Sequence, residues 1–139
     1  MSEGSMSVAH AATRITDVGS VAVPVSDHER ALRFYTETLG FEVRLDVPMS
    51  DGGRWLQVAA PGGRVPVALV AAGEGGGLGG VGVDTGLTFV TPDAEGDRAR
   101  LAWAGADVDE LLRWPGVPLM FIVRDPDGNR LKVMEPAPR

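Results

Sequence analysis

Few side chains in this sequence could do chemistry, and one of them stands apart. Lys132 is the only lysine among 139 residues; every other basic side chain is an arginine. It lies in the run Arg130-Leu131-Lys132-Val133-Met134, directly after Arg124-Asp125-Pro126-Asp127-Gly128-Asn129. Pro fixes φ, Gly and Asn accept positive φ, and Asp side chains bond nearby backbone N–H groups, so the earlier stretch is a tight reversal. Apolar or alternating residues flank it on both sides, which makes a β-hairpin. Leu131 and Val133 share one face of the last strand; Arg130, Lys132 and Met134 share the other. Lys132 has two readings. In one, its stem lies along the sheet and its ammonium reaches water. In the other, it binds the carboxylate or phenolate of a ligand. It is also the one obvious general base for a metal-free reaction.

The remaining chemistry is sparse. There are two histidines, His10 and His28, and no cysteine. Disulfides, zinc–thiolate sites and thiol nucleophiles are thereby excluded. Asp125, Asp127 and Asn129 resemble the start of a calcium loop, but Arg130 stands where that loop needs glycine, so the turn reads as structural. Residues 75–80 fit G-x-G-x-x-G by letter. They open no helix, so they read as a linker and not as a dinucleotide site. Asp107, Asp109 and Glu110 read as a solvated strand face. Trp55 either stacks a flat ligand or fills space at a dimer seam. Trp114 and Pro115 either form a cleft rim or simply anchor a loop, and Met120 and Met134 offer adaptable apolar lining or belong to plain core.

The length suits one compact domain with a sizeable core. A net charge of −6 argues against a nucleic-acid partner, which needs a basic footprint. No apolar run is long enough to cross a membrane. Residues 1–13 lack the basic start and apolar centre of a signal peptide, so the expectation is a cytoplasmic protein with a flexible leader.

The elements that must position these residues follow from pattern. Residues 15–25 alternate and are rich in valine: a first strand. Ser26 and Glu29 read as a capping box, and Ala31, Leu32, Tyr35 and Leu39 recur at helical spacing until Gly40. Strands follow at 41–47, 54–60 and 65–71, separated by glycine turns. After a glycine-rich linker at 73–83 the order restarts: a strand at 86–90, Thr91 as cap with Pro92 opening a helix to Gly105, then strands at 107–113, 117–123 and 129–135. The fold class is α+β, with two tandem βαβββ modules at 14–72 and 84–136 within one domain, 14–139. One helix per module covers one sheet face and leaves the other open. The bulky sets, such as Val21, Val23 and Val25 or Leu131 and Val133, belong under the helices. The smaller and mixed sets line a concave cleft.

On Val23-Pro-Val-Ser-Asp27, Arg30-Ala-Leu-Arg-Phe-Tyr35, Leu39-Gly-Phe41 and Arg124-Asp-Pro-Asp-Gly-Asn129, the chain resembles the vicinal oxygen chelate superfamily. That superfamily includes glyoxalase I, bleomycin-resistance proteins and extradiol dioxygenases. The resemblance runs from about residue 15 to residue 135. It implies paired βαβββ modules forming curved sheets and, usually, a dimer with cup-shaped clefts. It also implies where a metal would sit: positions on the first, fourth, fifth and eighth strands, which here are Ser20, Ala68, Gly86 and Lys132. None is an imidazole or a carboxylate, the donors divalent metals want, so no metal and no other cofactor is expected.

The site expected from this reading is Ser20, Trp55, Gln57, Ala68, Gly86, Thr88, Met120, Lys132 and Met134. The function expected is metal-free binding of a small, largely apolar or aromatic ligand in a dimer cleft. The alternative is an enzyme of the same superfamily, a lyase, isomerase or dioxygenase-like protein with a divergent site, using Lys132. An unpaired sheet edge in each module adds to the case for a homodimer.

Overall fold

The computed structural model describes residues 12–73 and 79–137. Residues 1–11 of the expected leader, with His10, and residues 74–78 of the expected linker lie outside the described residues. The first half runs β1 (Val21–Val25), α1 (His28–Arg33, continuing as a π-helical turn over Phe34–Thr38), β2 (Glu42–Pro48), β3 (Arg54–Ala59) and β4 (Val67–Ala71). The second runs β5 (Asp84–Val90), α2 (Ala94–Trp103), β6 (Asp107–Val108), β7 (Met120–Arg124) and β8 (Arg130–Met134). Each half forms one four-stranded sheet, ordered β1-β4-β3-β2 and β5-β8-β7-β6. In both, the first strand lies parallel to the last and the other pairs are antiparallel. The duplication read from the sequence is therefore a duplication of topology.

The branched aliphatic sets lie where bulk demands. Val23, Val25, Leu56, Val58, Val67 and Leu69 of the first sheet are buried, as are Phe121, Val123, Leu131 and Val133 of the second. Ala31, Phe34 and Tyr35 of α1 and Ala94 and Leu101 of α2 join them in one continuous core. Each of the valine, leucine and phenylalanine side chains contributes on the order of 1.5–3 kcal/mol through removal of apolar area from water. The helix-covered faces of both sheets thus share one interior. Phe41 and Phe89 bridge the halves edge to face, with ring centroids 5.2 Å apart.

Several expected boundaries shift for identifiable reasons. The first strand begins at Val21 and not at residue 15, because β4, its only ladder partner, begins at Val67. The strand expected at 107–113 is paired only over Asp107–Val108; beyond it the chain leaves the sheet and touches it again through a single bridge from Leu112 to Met120. The caps also differ. Asp27, not Ser26, caps α1, its carboxylate accepting from the N–H groups of Glu29 and Arg30. Ser26 is engaged instead by Asp127 and Arg30, and Glu29 by Arg54. Asp93, not Thr91, caps α2 by accepting from Gly96 N–H, while the Thr91 hydroxyl donates to Asp97. A carboxylate satisfies a helix N-terminus and its dipole together, which is why the acidic neighbour takes each cap.

The turn at 125–129 is a tight reversal, with Gly128 at φ 83°. It is also a bolt between the halves. Asp125 is 4% exposed and Asn129 fully buried. The Tyr35 hydroxyl donates to Asp125 Oδ2 at 3.0 Å. Asn129 Nδ2 donates to the Pro24 carbonyl at 2.7 Å and to Asp125 Oδ2 at 2.9 Å. Its Oδ1 accepts from the N–H groups of Gly82 and Val83. Burial and the neighbouring Asp125 carboxylate push the Tyr35 phenol well above its ordinary pKa, so it stays a neutral donor.

Candidate functional site

Strand register sorts the expected site residues onto the two open faces. In the first sheet, Ala22, Ala68, Gln57 and Leu45 form one row across β1, β4, β3 and β2. On the same face, two residues further along β3, Trp55 stands opposite Val47. Ser20 lies just ahead of β1 and is half-buried. Trp55 is 37% exposed, beside Leu45 at 39% and Val47 at 40%. This face is therefore an apolar surface with one aromatic ring and one amide, Gln57. Ala68 shares it but is buried, since a methyl group is shadowed by its larger neighbours.

In the second sheet, Thr88, Lys132 and Ile122 form a row across β5, β8 and β7. Val90, Met134 and Met120 form the next. Val90 is 70% exposed, and Met120, whose backbone is bridged by Leu112, is buried. Gly86 sits at an irregularity between Asp84 and Thr88, with φ at 72°. That left-handed conformation suits glycine and lets its N–H reach Asp84 Oδ1 at 3.1 Å. Lys132 is half-buried and, among the described residues, has no hydrogen-bond or ion-pair partner.

The nine expected residues thus divide between two sheets: Ser20, Trp55, Gln57 and Ala68 on one, and Gly86, Thr88, Met120, Lys132 and Met134 on the other. A cavity of about 400 Å³ lies elsewhere, where the end of α1, the end of β5 and α2 meet. Leu39, Phe41, Phe89, Leu101 and Val133 form its apolar wall, with Arg100 and Asp97 among its polar residues. None of the nine lines it. Sequence reasoning passed over Leu45, Val47 and Val90, which enlarge the open apolar surface. The signal for the first two was present: Val43-Arg44-Leu45-Asp46-Val47 alternates, but as the edge strand it buries neither face.

The four positions that the resemblance marks for a metal, Ser20, Ala68, Gly86 and Lys132, carry a hydroxyl, a methyl, a hydrogen and an ammonium. Among the described residues, no three or more His, Asp or Glu side chains converge in a way that could hold an ion. His28 is turned to the Leu69 carbonyl, with Nε2 at 2.9 Å. A divalent cation needs imidazole or carboxylate donors, and an ammonium at the fourth position would repel it. The donor set does not fit a metal.

The sequence profile of the Glyoxalase/Bleomycin resistance protein/Dioxygenase superfamily matches residues 17–133. Among solved structures, the chain is 36% identical to TnmS3, an antibiotic binding protein from Streptomyces sp. CB03234, with a TM-score of 0.77 over 91% of this chain and 100% of that one. It is 32% identical to a superfamily member from Sphaerobacter thermophilus DSM 20745, with a TM-score of 0.79 over 89% of this chain and all of the other. Among curated proteins it matches an uncharacterized protein of Bacillus subtilis (strain 168), YetH, at 38% identity over 55 residues. That match spans 40% of this chain and 46%, about half, of YetH.

Proposed function

The chain belongs to the glyoxalase/bleomycin resistance/dioxygenase superfamily, and we propose that it is a small-molecule-binding member that works without a metal. The ligand is largely apolar or aromatic. It lies between the open face of the first sheet and that of the second, in a cleft completed by a second copy of the chain. The observation that carries this reading is the first sheet's open face. Trp55, Leu45 and Val47 expose contiguous apolar surface around Gln57, a pattern suited to burying a flat molecule and orienting it through one amide. Such surface is costly to leave bare in a soluble protein. The metal positions without donors, and the likeness to an antibiotic binding protein, support binding over metal chemistry.

Titration of tryptophan fluorescence against planar aromatic compounds tests the reading. Trp55→Ala removes the stacking wall, and offset stacking alone is worth about 0.5–1.5 kcal/mol. With the lost area added, affinity falls roughly tenfold or more. A ligand that binds with unchanged affinity after Trp55→Ala places the site elsewhere. Light scattering checks the second copy: a monomer mass at micromolar concentration counts against the shared cleft.

A further inference from the structure

The second sheet's open face differs from the first in carrying cations: Arg124, Arg130 and Lys132. Lys132 is half-buried and, among the described residues, has no carboxylate on its ammonium. Six arginines of the described chain, Arg30, Arg44, Arg54, Arg100, Arg113 and Arg124, hold carboxylates. The acids nearest Lys132 along the sheet are engaged elsewhere: Asp109 by Arg124, and Asp84 by the Gly86 N–H. In the row itself Lys132 stands between Ile122 and Thr88, and the Thr88 side chain also has no hydrogen-bond partner among the described residues. Arg130, on the same face two residues away, adds like charge. The ammonium has three N–H donors, and among the described residues none of them is taken by a protein acceptor, so a ligand oxygen at the open face can receive them.

We propose that Lys132 and the Thr88 hydroxyl together form an oxyanion subsite, and that the natural ligand carries an acidic oxygen, as a carboxylate, phenolate or sulfonate, beside its apolar body. The inference rests on the reading of the open faces as the binding site and adds the ligand's charge class to it. The apolar body lies against Ile122, Val90 and Met134; the ammonium donates charge-assisted hydrogen bonds to the oxygen, and the threonine fixes its direction. A chain of net charge −6 repels anions at long range, so recognition depends on local cations, with Lys132 in contact and Arg130 adding to the field.

Two probes that share a ring system separate charge from shape: 1-anilinonaphthalene-8-sulfonate, which is anionic, and N-phenyl-1-naphthylamine, its neutral counterpart without the sulfonate. Dissociation constants are measured by probe fluorescence for the wild type, Lys132→Met, Lys132→Arg, Thr88→Val and Trp55→Ala, with thermal melts to verify folding. A lost hydrogen bond to a charged group corresponds to about tenfold or more in affinity. The expected result is that Lys132→Met weakens the sulfonate by at least that factor and changes the neutral probe by less than about twofold. Lys132→Arg keeps most of the sulfonate affinity, and Thr88→Val loses a smaller part of it. If Trp55→Ala weakens both probes while Lys132→Met affects neither, the site reading stands and the oxyanion subsite is overturned. If Lys132→Met weakens both probes equally, its role is packing and the inference is again overturned. Failure of the wild type to bind either probe removes the site reading and the subsite together.

Discussion

β8 begins in one polar environment and runs into another. At its start, Asp125 and Asn129 lie in the core, and their polar atoms are spent on Tyr35, Pro24, Gly82, Val83 and the turn's own backbone. No buried side-chain nitrogen or oxygen among the described residues lacks a hydrogen-bond partner. Three residues after Asn129, on the open face, Lys132 has none. The difference separates two uses of polarity. Inside, an unpaired group costs free energy at all times, so folding must satisfy it. On a half-open face, the cost is smaller and an unpaired group persists until something binds.

The strongest way to break this comparison is to remove the satisfied side. Asp125→Ala strands the Tyr35 hydroxyl and deprives Asn129 of a partner, both in the interior. Each buried donor left unpaired costs about 1–3 kcal/mol. The expected loss of unfolding free energy in urea is therefore about 3 kcal/mol or more. Tyr35→Phe, which removes a donor and leaves Asp125 its other partners, should cost about half as much. Lys132→Met, one strand face away, should change stability by less than about 0.5 kcal/mol. Equal losses for Asp125→Ala and Lys132→Met would erase the distinction between the two environments.

The same contrast explains what could be read from the sequence. The two βαβββ modules, their order, and the inward set of Val23, Val25, Leu131 and Val133 were legible, because periodicity reports which face meets a core. The tight turn at 125–129 was legible from Pro, Asp, Gly and Asn. Its role as a bolt was not. The contacts from Asn129 to Pro24 and from Asp125 to Tyr35 join residues 105 and 90 positions apart, and no local pattern encodes a partner so distant. The caps were misplaced by one or two residues for a related reason. Ser26 and Glu29 have the right letters for a capping box, yet Asp127 and Arg54 claim them from elsewhere in the fold. On the open faces, alternation identified which residues share a surface. It could not say that Ala68 and Met120 are shadowed, or that Leu45 and Val47 of the edge strand remain bare.

A second prediction sharpens the comparison on the first sheet. Trp55 packs beside Val47 across β2 and β3, and a cross-strand pair of this kind contributes about 0.2–1 kcal/mol. Trp55→Ala should therefore lower stability by no more than about 1 kcal/mol while lowering ligand affinity roughly tenfold. Urea unfolding in the absence of ligand and probe titration on the same preparation give the two numbers. A stability loss comparable to that of Asp125→Ala would make Trp55 a core residue and remove it from the site.

The smallest expected effect concerns a cation that does have its acid. Arg124 Nη1 lies 2.8 Å from Asp109 Oδ1 on the open face of the second sheet, in the row next to that of Lys132. The hydrogen bond from Arg124 holds the Asp109 carboxyl below its ordinary value of 3.8, with the charges of Arg124, Arg130 and Arg98 acting in the same direction. A depressed carboxylate contributes stability that is present above the unfolded value and lost as pH falls through the folded one. The window therefore opens near pH 3.8 and extends below it. With Asp109 about half exposed, solvent and salt screen the pair, and its contribution is no more than about 0.5 kcal/mol. Asp107, 3.6 Å from the same guanidinium, recovers part of that when Asp109 is removed. Asp109→Asn should thus be slightly less stable than the wild type at pH 7, with the gap closing as the pH approaches the bottom of the window. Urea midpoints between pH 7 and pH 2.5 measure it. A gap that widens as pH falls would reverse the sign of the linkage, and Arg124 would then count with Lys132 among the cations that folding leaves unpaired.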